Sequence, residues 1–212
     1  MDKISFCFPH YNRLEFPTPE GILPLFKNCL SSLKYILDSF DVDYEICICS
    51  FDKDEDYSKL TKFVYSLYSK EKVIFTRSSN TFTIGEGKQL AYKNSTGNII
   101  AFLDADMIFL KSNIIKRAVE VCHQEGAYFP ICYSFFKEGH GIWRSAGFGN
   151  SFVSKHLMIQ IEWLAKKEWG GEDEKFYSDI SKNTSNIIRE NCSGFYHQHH
   201  PPTLPNSNSA FK

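Results

Sequence analysis

Asp104-Ala105-Asp106 closes an apolar run, Ile99-Ile100-Ala101-Phe102-Leu103, and pairs two carboxylates where a cation could be held. Side chains alternate along an extended strand, so a strand running on through these residues points both carboxylates one way and Ala105 the other. Two anions on one side call for Mg²⁺ or Mn²⁺, which accepts one or two carboxylates and fills its octahedron with water and the oxygens of a substrate diphosphate. The bland alternative is a pair of aspartates solvating a strand end or capping a turn, and short motifs match by chance often enough to keep it open.

Trp169-Gly170-Gly171-Glu172-Asp173-Glu174 is the second cluster, with two glycines ahead of three acids at the expected start of a helix. The helix dipole alone favours acids there. A functional reading gives one carboxylate the task of accepting a proton, its pKa raised by a charged neighbour. The glycines would let backbone approach a ligand, and Trp169 offers an apolar face for a sugar ring. The third cluster is Tyr196-His197-Gln198-His199-His200-Pro201. On an extended segment His197 and His199 share a face and His200 takes the other, and a neutral imidazole there could complete a metal shell begun by the aspartates. A zinc site using Cys192 with these histidines ranks lower, because no second ligand pair stands at zinc-finger spacing.

Two glycine-rich stretches are weaker signals. Gly85-Glu86-Gly87-Lys88 opens a helix, where N–H groups and an ammonium could meet a phosphate, although P-loop spacing is absent. Gly147-Phe148-Gly149-Asn150-Ser151 would let a ligand lie against backbone, or simply form a bend.

These residues need a scaffold. The 212-residue chain is 42% hydrophobic and 23% charged, with 19 Phe and 11 Tyr, which suits one globular domain and excludes disorder for most of its length. Lys and Arg number 24 against 25 Asp and Glu, so the basic excess needed to bind a phosphate backbone is missing and nucleic acid is not an expected partner. No apolar run reaches a membrane span, and the seven cysteines lie mostly in apolar runs, form no CxxC pair and are odd in number. A soluble, unsecreted protein of a reducing, cytoplasmic compartment is expected.

Strands are expected at Ile4 to Phe8, Tyr44 to Cys49, Val73 to Thr76 and Asn98 to Leu103. Helices are expected from Thr18-Pro19-Glu20 through Phe40, around Leu60 to Tyr68, over Lys88 to Asn94 and after Ser112. This alternation implies an α/β fold with a mostly parallel sheet, helices on both faces, and chemistry in the loops after the strands. Further on, strands at Ala127 to Tyr133 and Asn150 to Val153, a helix from Lys155 to Leu164, and strands near Ile187 and Phe195 are expected. A flexible tail should follow from Pro201.

Taken in order, Phe8-Pro9-His10-Tyr11-Asn12-Arg13, the Gly97 to Met107 segment, Ser145 to Asn150, Trp169 to Asp173 and Tyr196-His197-Gln198 resemble the GT-A fold glycosyltransferases of family 2. The second half resembles the galactosyl- and N-acetylgalactosaminyltransferase type, including bacterial chondroitin polymerase domains. The resemblance spans nearly all of residues 3 to 202. It implies a single domain over 1–202, with a nucleotide-binding half at 1–106, an acceptor-binding half at 107–202 and a tail at 203–212.

The resemblance further implies a UDP-sugar donor with an Mn²⁺ or Mg²⁺ ion on its diphosphate, and a glycan or lipid-linked oligosaccharide acceptor, with peripheral attachment to the cytoplasmic membrane face allowed. Asp106 would ligate the metal, Asp104 would lie nearer the ribose or share the metal through water, and His197 would be the third protein ligand. Asp173 matches the base that deprotonates the acceptor hydroxyl, and Glu172 the residue that holds the acceptor. Pro9, Tyr11, Asn12 and Arg13 would line the nucleoside, with Ala105 beside it and Lys88 where relatives place an arginine. Gly147, Gly149, Asn150, Trp169, Gly170 and Gly171 would shape the sugar pocket. After the second strand, where relatives carry an aspartate for uracil, the chain reads Cys49-Ser50-Phe51-Asp52, and Asp52 would serve instead. Direct displacement with inversion is the expected course, although retaining relatives also use a Gly-Gly-Glu-Asp-like segment. A non-catalytic nucleotide-sugar or glycan binder is the alternative function, and a metal-dependent nucleotidyltransferase the third.

Overall fold

Apolar runs too short for helices and flanked by turn residues become the central strands. The computed structural model describes residues 2–136, 138–165 and 171–201. Strand β1 (Lys3–His10) runs parallel to β4 (Asp43–Ser50) on one side and to β6 (Ile99–Phe102) on the other, and β5 (Val73–Arg77) adds outside β4. Helices α1 (Leu25–Asp38), α2 (Asp54–Leu67) and α3 (Ile84–Lys93) connect these strands. The β1 and β4 interiors are buried and nearly continuously apolar, as strands covered on both faces must be.

Beyond β6 the sheet becomes mixed. Its order is β5-β4-β1-β6-β10-β8-β11-β7, with β9 paired to β8, where β7 is Met107–Phe109, β8 Ala127–Phe135, β9 Gly141–Trp143, β10 Ser151–Ser154 and β11 Ile187–His197. Strand β10 is antiparallel to both β6 and β8, so β8 runs in the direction of β6, and β11 is parallel to β8. Helix α4 (Asn113–His123) covers one face of this half with Ile114, Ile115, Ala118 and Val121, and α5 (Glu172–Asn183) covers the other with Phe176 and Ile180. The result is the α/β fold with a large sheet flanked by helices.

Strands β7 and β9 were not expected, the strands expected near Ile187 and Phe195 form the single β11, and two expected helices take another form. The helix expected from Thr18 begins at Leu25, because residues 16–23 form a small hairpin of β2 (Phe16–Thr18) and β3 (Gly21–Leu23). Thr18 Oγ1 donates to the Gly21 carbonyl and accepts the Glu20 N–H, and Gly21 has φ +134°, which a helix does not admit. Ile22 is consequently exposed rather than on the apolar helix face. The helix expected over Lys155 to Leu164 is a 3₁₀ segment, Lys155–Gln160, followed by irregular chain. There the Trp163 N–H donates to Gln89 Oε1, and the Trp163 ring stacks on Phe176 at 4.0 Å, so tertiary contacts replace the helical ladder.

The glycines of Gly85-Glu86-Gly87-Lys88 serve packing. A Cβ on Gly85 would lie 2.1 Å from the Leu164 carbonyl oxygen, and one on Gly87 would lie 2.6 Å from Pro9 Cβ, so α3 sits tight against the end of β1 and the chain at Leu164. Trp169, Gly170 and the tail from Pro202 lie outside the described residues. Among the described residues all seven cysteines are free and buried, and no helix is long and apolar enough to cross a membrane.

Candidate active site

The carboxyl ends of β1, β4, β6 and β8 meet at one edge of the sheet, and the side chains singled out from sequence gather there in two adjoining clusters. The first surrounds Lys88. Its position in α3 directs the ammonium into the protein, where it is fully buried, donates to the Gly149 carbonyl at 2.6 Å and pairs with Asp104 Oδ1 at 3.0 Å. The Trp163 ring lies 4.6 Å from it. Burial pushes the Lys88 pKa down, but Asp104 and Asp173 outweigh burial and raise it, so the residue stays cationic.

Asp173 occupies the first turn of α5, which starts directly after Gly171 at φ +84°. Gly149 is the hub of the cluster: a Cβ there would stand 2.8 Å from Asp173 Oδ2, 3.1 Å from Lys88 Nζ and 3.2 Å from Asp104 Oδ2. Burial raises the Asp173 pKa to about 6 against the pull of Lys88, with Asp104, Glu172 and Glu174 adding to the rise. A carboxyl tuned to that value is a competent proton acceptor near neutrality. Glu172 is buried next to it, and its charge acts on both Lys88 and Asp173.

The second cluster centres on Asp106. Strand β6 stops at Phe102 and residues 103–106 turn, so the two aspartates do not point one way as a continued strand would require. Asp104 turns to Lys88 and to Asn150, whose Nδ2 donates to Asp104 Oδ2 at 3.1 Å while its Oδ1 accepts the Asp104 N–H at 2.9 Å. Asp106 turns instead to His197 and His200. Its Oδ2 lies 3.0 Å from His200 Nε2 and 3.7 Å from His197 Nε2, and one ligand atom from each residue lies within 4.8 Å of the others.

This donor set fits a divalent cation. Asp106 Oδ1 is buried without a hydrogen-bond partner, an acceptor whose desolvation is otherwise uncompensated. Burial would raise the Asp106 pKa, but His197, His200 and Arg13 hold it well below the usual carboxylate range, so it is ionised. Burial lowers the His197 pKa, and its Nδ1 lies 3.1 Å from Ser134 Oγ, which fixes the ring with Nε2 toward Asp106. His200 Nδ1 lies 2.8 Å from the Pro201 carbonyl and 3.5 Å from the Arg13 guanidinium.

The expected face-sharing of His197 and His199 is not what the chain does. Strand β11 ends at His197, and the Gln198 N–H bonds to the Asp106 carbonyl while its side chain bonds to Leu25 and Asn28. That turn leaves His199 exposed and returns His200 to Asp106. His200 is the ligand candidate that strand periodicity alone assigns to the wrong side; only the turn at Gln198 reveals it.

The loop after β1 completes the site. Asn12 has φ +51°, and its N–H donates to Asp52 Oδ1 at 2.8 Å. Asp52 Oδ2 accepts from His10 Nδ1 at 2.5 Å and from Ser50 Oγ at 2.8 Å, so both its oxygens hold this loop. Burial raises the Asp52 pKa, but His10, Asn12 and Ser50 bring it below its ordinary value. Tyr11 is 41% exposed and stacks on Phe82 at 5.4 Å, next to buried Pro9 and the half-buried Arg13. His10 was not singled out by type or spacing, and its contact with Asp52, 42 residues away, has no local signal.

Residues 5–190 match the family model Glycosyl transferase family 2. An uncharacterised glycosyltransferase of Rickettsia conorii is 29% identical over 112 residues, which are 53% of this chain and 16% of that protein. A Rickettsia bellii glycosyltransferase is 26% identical over 112 residues, 53% of this chain and 14% of that protein, so the match spans a minor part of these relatives. Staphylococcus aureus TarS 1-349 superposes with a TM-score of 0.71 at 14% identity, over 92% of this chain and 60% of that one. The mannosyltransferase PcManGT from Pyrobaculum calidifontis, in complex with GDP-Man and Mn²⁺, superposes with a TM-score of 0.70 at 13% identity, over 96% and 58% of the two chains. At such identities the superpositions establish the GT-A fold, and the family match adds the lineage: the chain belongs to glycosyl transferase family 2.

Proposed function

We propose that the chain is a metal-dependent, inverting glycosyltransferase that moves a sugar of the galactose, N-acetylgalactosamine or glucose type from a UDP-sugar to a hydroxyl of a glycan or lipid-linked oligosaccharide acceptor. The observation that carries this reading is the buried Asp173 carboxyl, tuned to about 6, beside Lys88 and Asp104 and next to the Asp106–His197–His200 cluster. Neighbours in fold support a nucleotide-sugar donor, since one is in complex with UDP-GlcNAc and another with GDP-Man and Mn²⁺.

Asp106, His197 and His200 would hold Mn²⁺ or Mg²⁺, which when bound stabilises charge gathering on a departing diphosphate. The protein's own groups do the rest. Tyr11 and the loop held by Asp52 receive the nucleoside, and Asp104, paired with Lys88, faces the ribose and sugar. Gly149, Asn150 and Gly171 border the sugar, and Glu172 orients the acceptor. Asp173 takes the acceptor hydroxyl proton as the oxygen attacks the anomeric carbon from the face opposite the diphosphate, which gives inversion.

Nucleotide release from a panel of UDP- and GDP-sugars, with Mn²⁺ or EDTA, tests the proposal. Wild type should release UDP from one donor, and EDTA or Asp106→Ala should reduce release at least ~10²-fold, the cost of losing several kcal/mol of charge stabilisation. Pyrophosphate or nucleoside monophosphate among the products, or release indifferent to EDTA, defeats it.

Gly149→Ala should lower transfer about tenfold or more while leaving the thermal melt nearly unchanged. The added methyl displaces Asp173 from the cluster, and small misplacements of a reacting group are costly. Comparison of single-turnover rates with melting curves checks it.

A further inference from the structure

The hairpin of β8 and β9 carries a row of aromatic rings that the donor site leaves unused. Tyr133 packs against Trp143 and Phe135, both at 5.4 Å, and against Tyr196 at 6.4 Å, while Phe135 stacks on Tyr196 at 5.3 Å. Phe135 and Trp143 remain 37% and 38% exposed. Tyr133 is opposite Trp143 in one pairing and opposite Tyr196 in the other, so these rings share one face of the sheet with Phe135. Ser134 and His197 take the other face, toward Asp106.

The aromatic face is the one that α5 covers further back. Phe129, four residues before Tyr133, packs on Phe176 and Tyr177 of α5, and Phe148 stacks on Tyr177 at 4.2 Å. Strand β8 advances about 13 Å from Phe129 to Tyr133 at ~3.3 Å per residue. The return from Tyr177 to Asp173 along α5 covers about 6 Å at ~1.5 Å per residue. Both steps lead from the Phe129–Tyr177 contact toward the carboxyl end of β8, so the aromatic row and Asp173 lie at the same end of the sheet. The chain also joins the two places. After Trp143, Arg189 Nη2 donates to the carbonyls of Ser145 and Gly147 with its guanidinium over Phe148, and the loop so pinned delivers Gly149 to Asp173.

We propose that Tyr133, Phe135, Trp143 and Tyr196 form a platform for sugar rings of the acceptor glycan behind the unit that reacts. Neutral pyranose rings offer C–H faces to aromatic side chains and keep their hydroxyls in water, and none of the four residues carries the charge that an anionic headgroup would need. The row leads to the proton acceptor, so a glycan lying on it brings its terminal hydroxyl to Asp173. The assignment of that hydroxyl rests on the glycosyltransferase reading; the binding of sugar rings does not.

The test is binding of wild type, Trp143→Ala, Phe135→Ala, Trp143→Tyr and the distant control Tyr35→Ala to a mixed array of neutral oligosaccharides without donor. Acceptor-free nucleotide release by wild type is measured alongside. Wild type and Tyr35→Ala should retain the same glycans, the two alanine variants should bind them about tenfold or more weakly, and Trp143→Tyr should keep most of the binding. Equal retention by the alanine variants overturns the platform. So does failure of wild type to retain any glycan while it hydrolyses its donor, or a loss of self-association as the sole effect of the alanines. Glycan retention through the platform with no nucleotide release from any donor would sink the glycosyltransferase reading and leave the platform standing.

Discussion

Asp173→Asn should stop sugar transfer and make the protein more stable, two effects of opposite sign from one carboxyl. Loss of a general base costs roughly 10²- to 10⁴-fold in a single-turnover rate. In wild type the rate should climb with pH through about 6 and level off above it, since the ionised form accepts the proton. The stability effect follows from linkage. Asp173 titrates at about 6 in the fold against 3.8 for an unperturbed side chain, so the folded state holds the proton more tightly. Its contribution is fully present below the unfolded pKa and is lost as pH rises through the folded one. At pH 8 the ionised carboxylate costs the fold about 3 kcal/mol, which the amide avoids. The amide variant should thus melt several degrees above wild type at about pH 8, at ~2–4 °C per kcal/mol, with the gain vanishing near pH 4. Undiminished transfer by the variant would remove Asp173 from its role; an unchanged melt at the higher pH would remove the burial argument.

Lys88→Met is expected to have the largest cost in stability of any single change at the site. It removes the cation that bonds the Gly149 carbonyl and pairs with Asp104, and leaves Asp104 and Asp173 facing each other without an intervening charge. Breaking a buried pair by deleting one partner costs about 3–5 kcal/mol, which a denaturant midpoint measures directly. Residual activity should shift to higher pH, because Lys88 is the group that pulls the Asp173 pKa down. Lys88→Arg should not rescue, since a planar fork cannot replace a compact ammonium enclosed by Trp163 and Gly149. Adding Asp104→Asn to Lys88→Met should recover part of the stability, as coupled neighbours do. An additive double variant would mean the ion pair is not the reason for the loss.

The parallel half of the fold was legible because its signals are local. Buried strands read as apolar runs, and α1 shows the helical spacing of Leu30, Leu33 and Leu37 even though its start was misplaced by the hairpin at Gly21. Clusters of acid, glycine and histidine were legible for the same reason: residue types that do chemistry stood adjacent in sequence. What periodicity misread was direction. The DxD carboxylates diverge because β6 stops before them, and His200 reaches Asp106 because β11 stops at His197. His10 with Asp52, Ser134 with His197 and Arg189 with Ser145 are partnerships between distant positions, and such pairs leave no trace in local pattern.

The pairing of β11 with β8 is regular up to Asn191 opposite Ile131 and resumes with Tyr196 opposite Tyr133, so five steps along β11 match two along β8. Gly194 sits within that offset at φ +93°, where a Cβ would meet Lys111 at 2.8 Å. An odd excess of residues reverses the alternation of side chains. The offset thus acts as a half-turn coupling between two lengths of one strand: it sends His197 toward Asp106 and Tyr196 toward the aromatic row. Shortening the irregular stretch by one residue would interchange the two, placing a phenol among the candidate ligands and an imidazole among the rings, while Ile187 to Asn191 kept its place beside β8. Insertions and deletions in this family member therefore carry a parity at residues 192–195, and an even change can preserve both surfaces where an odd one removes both together.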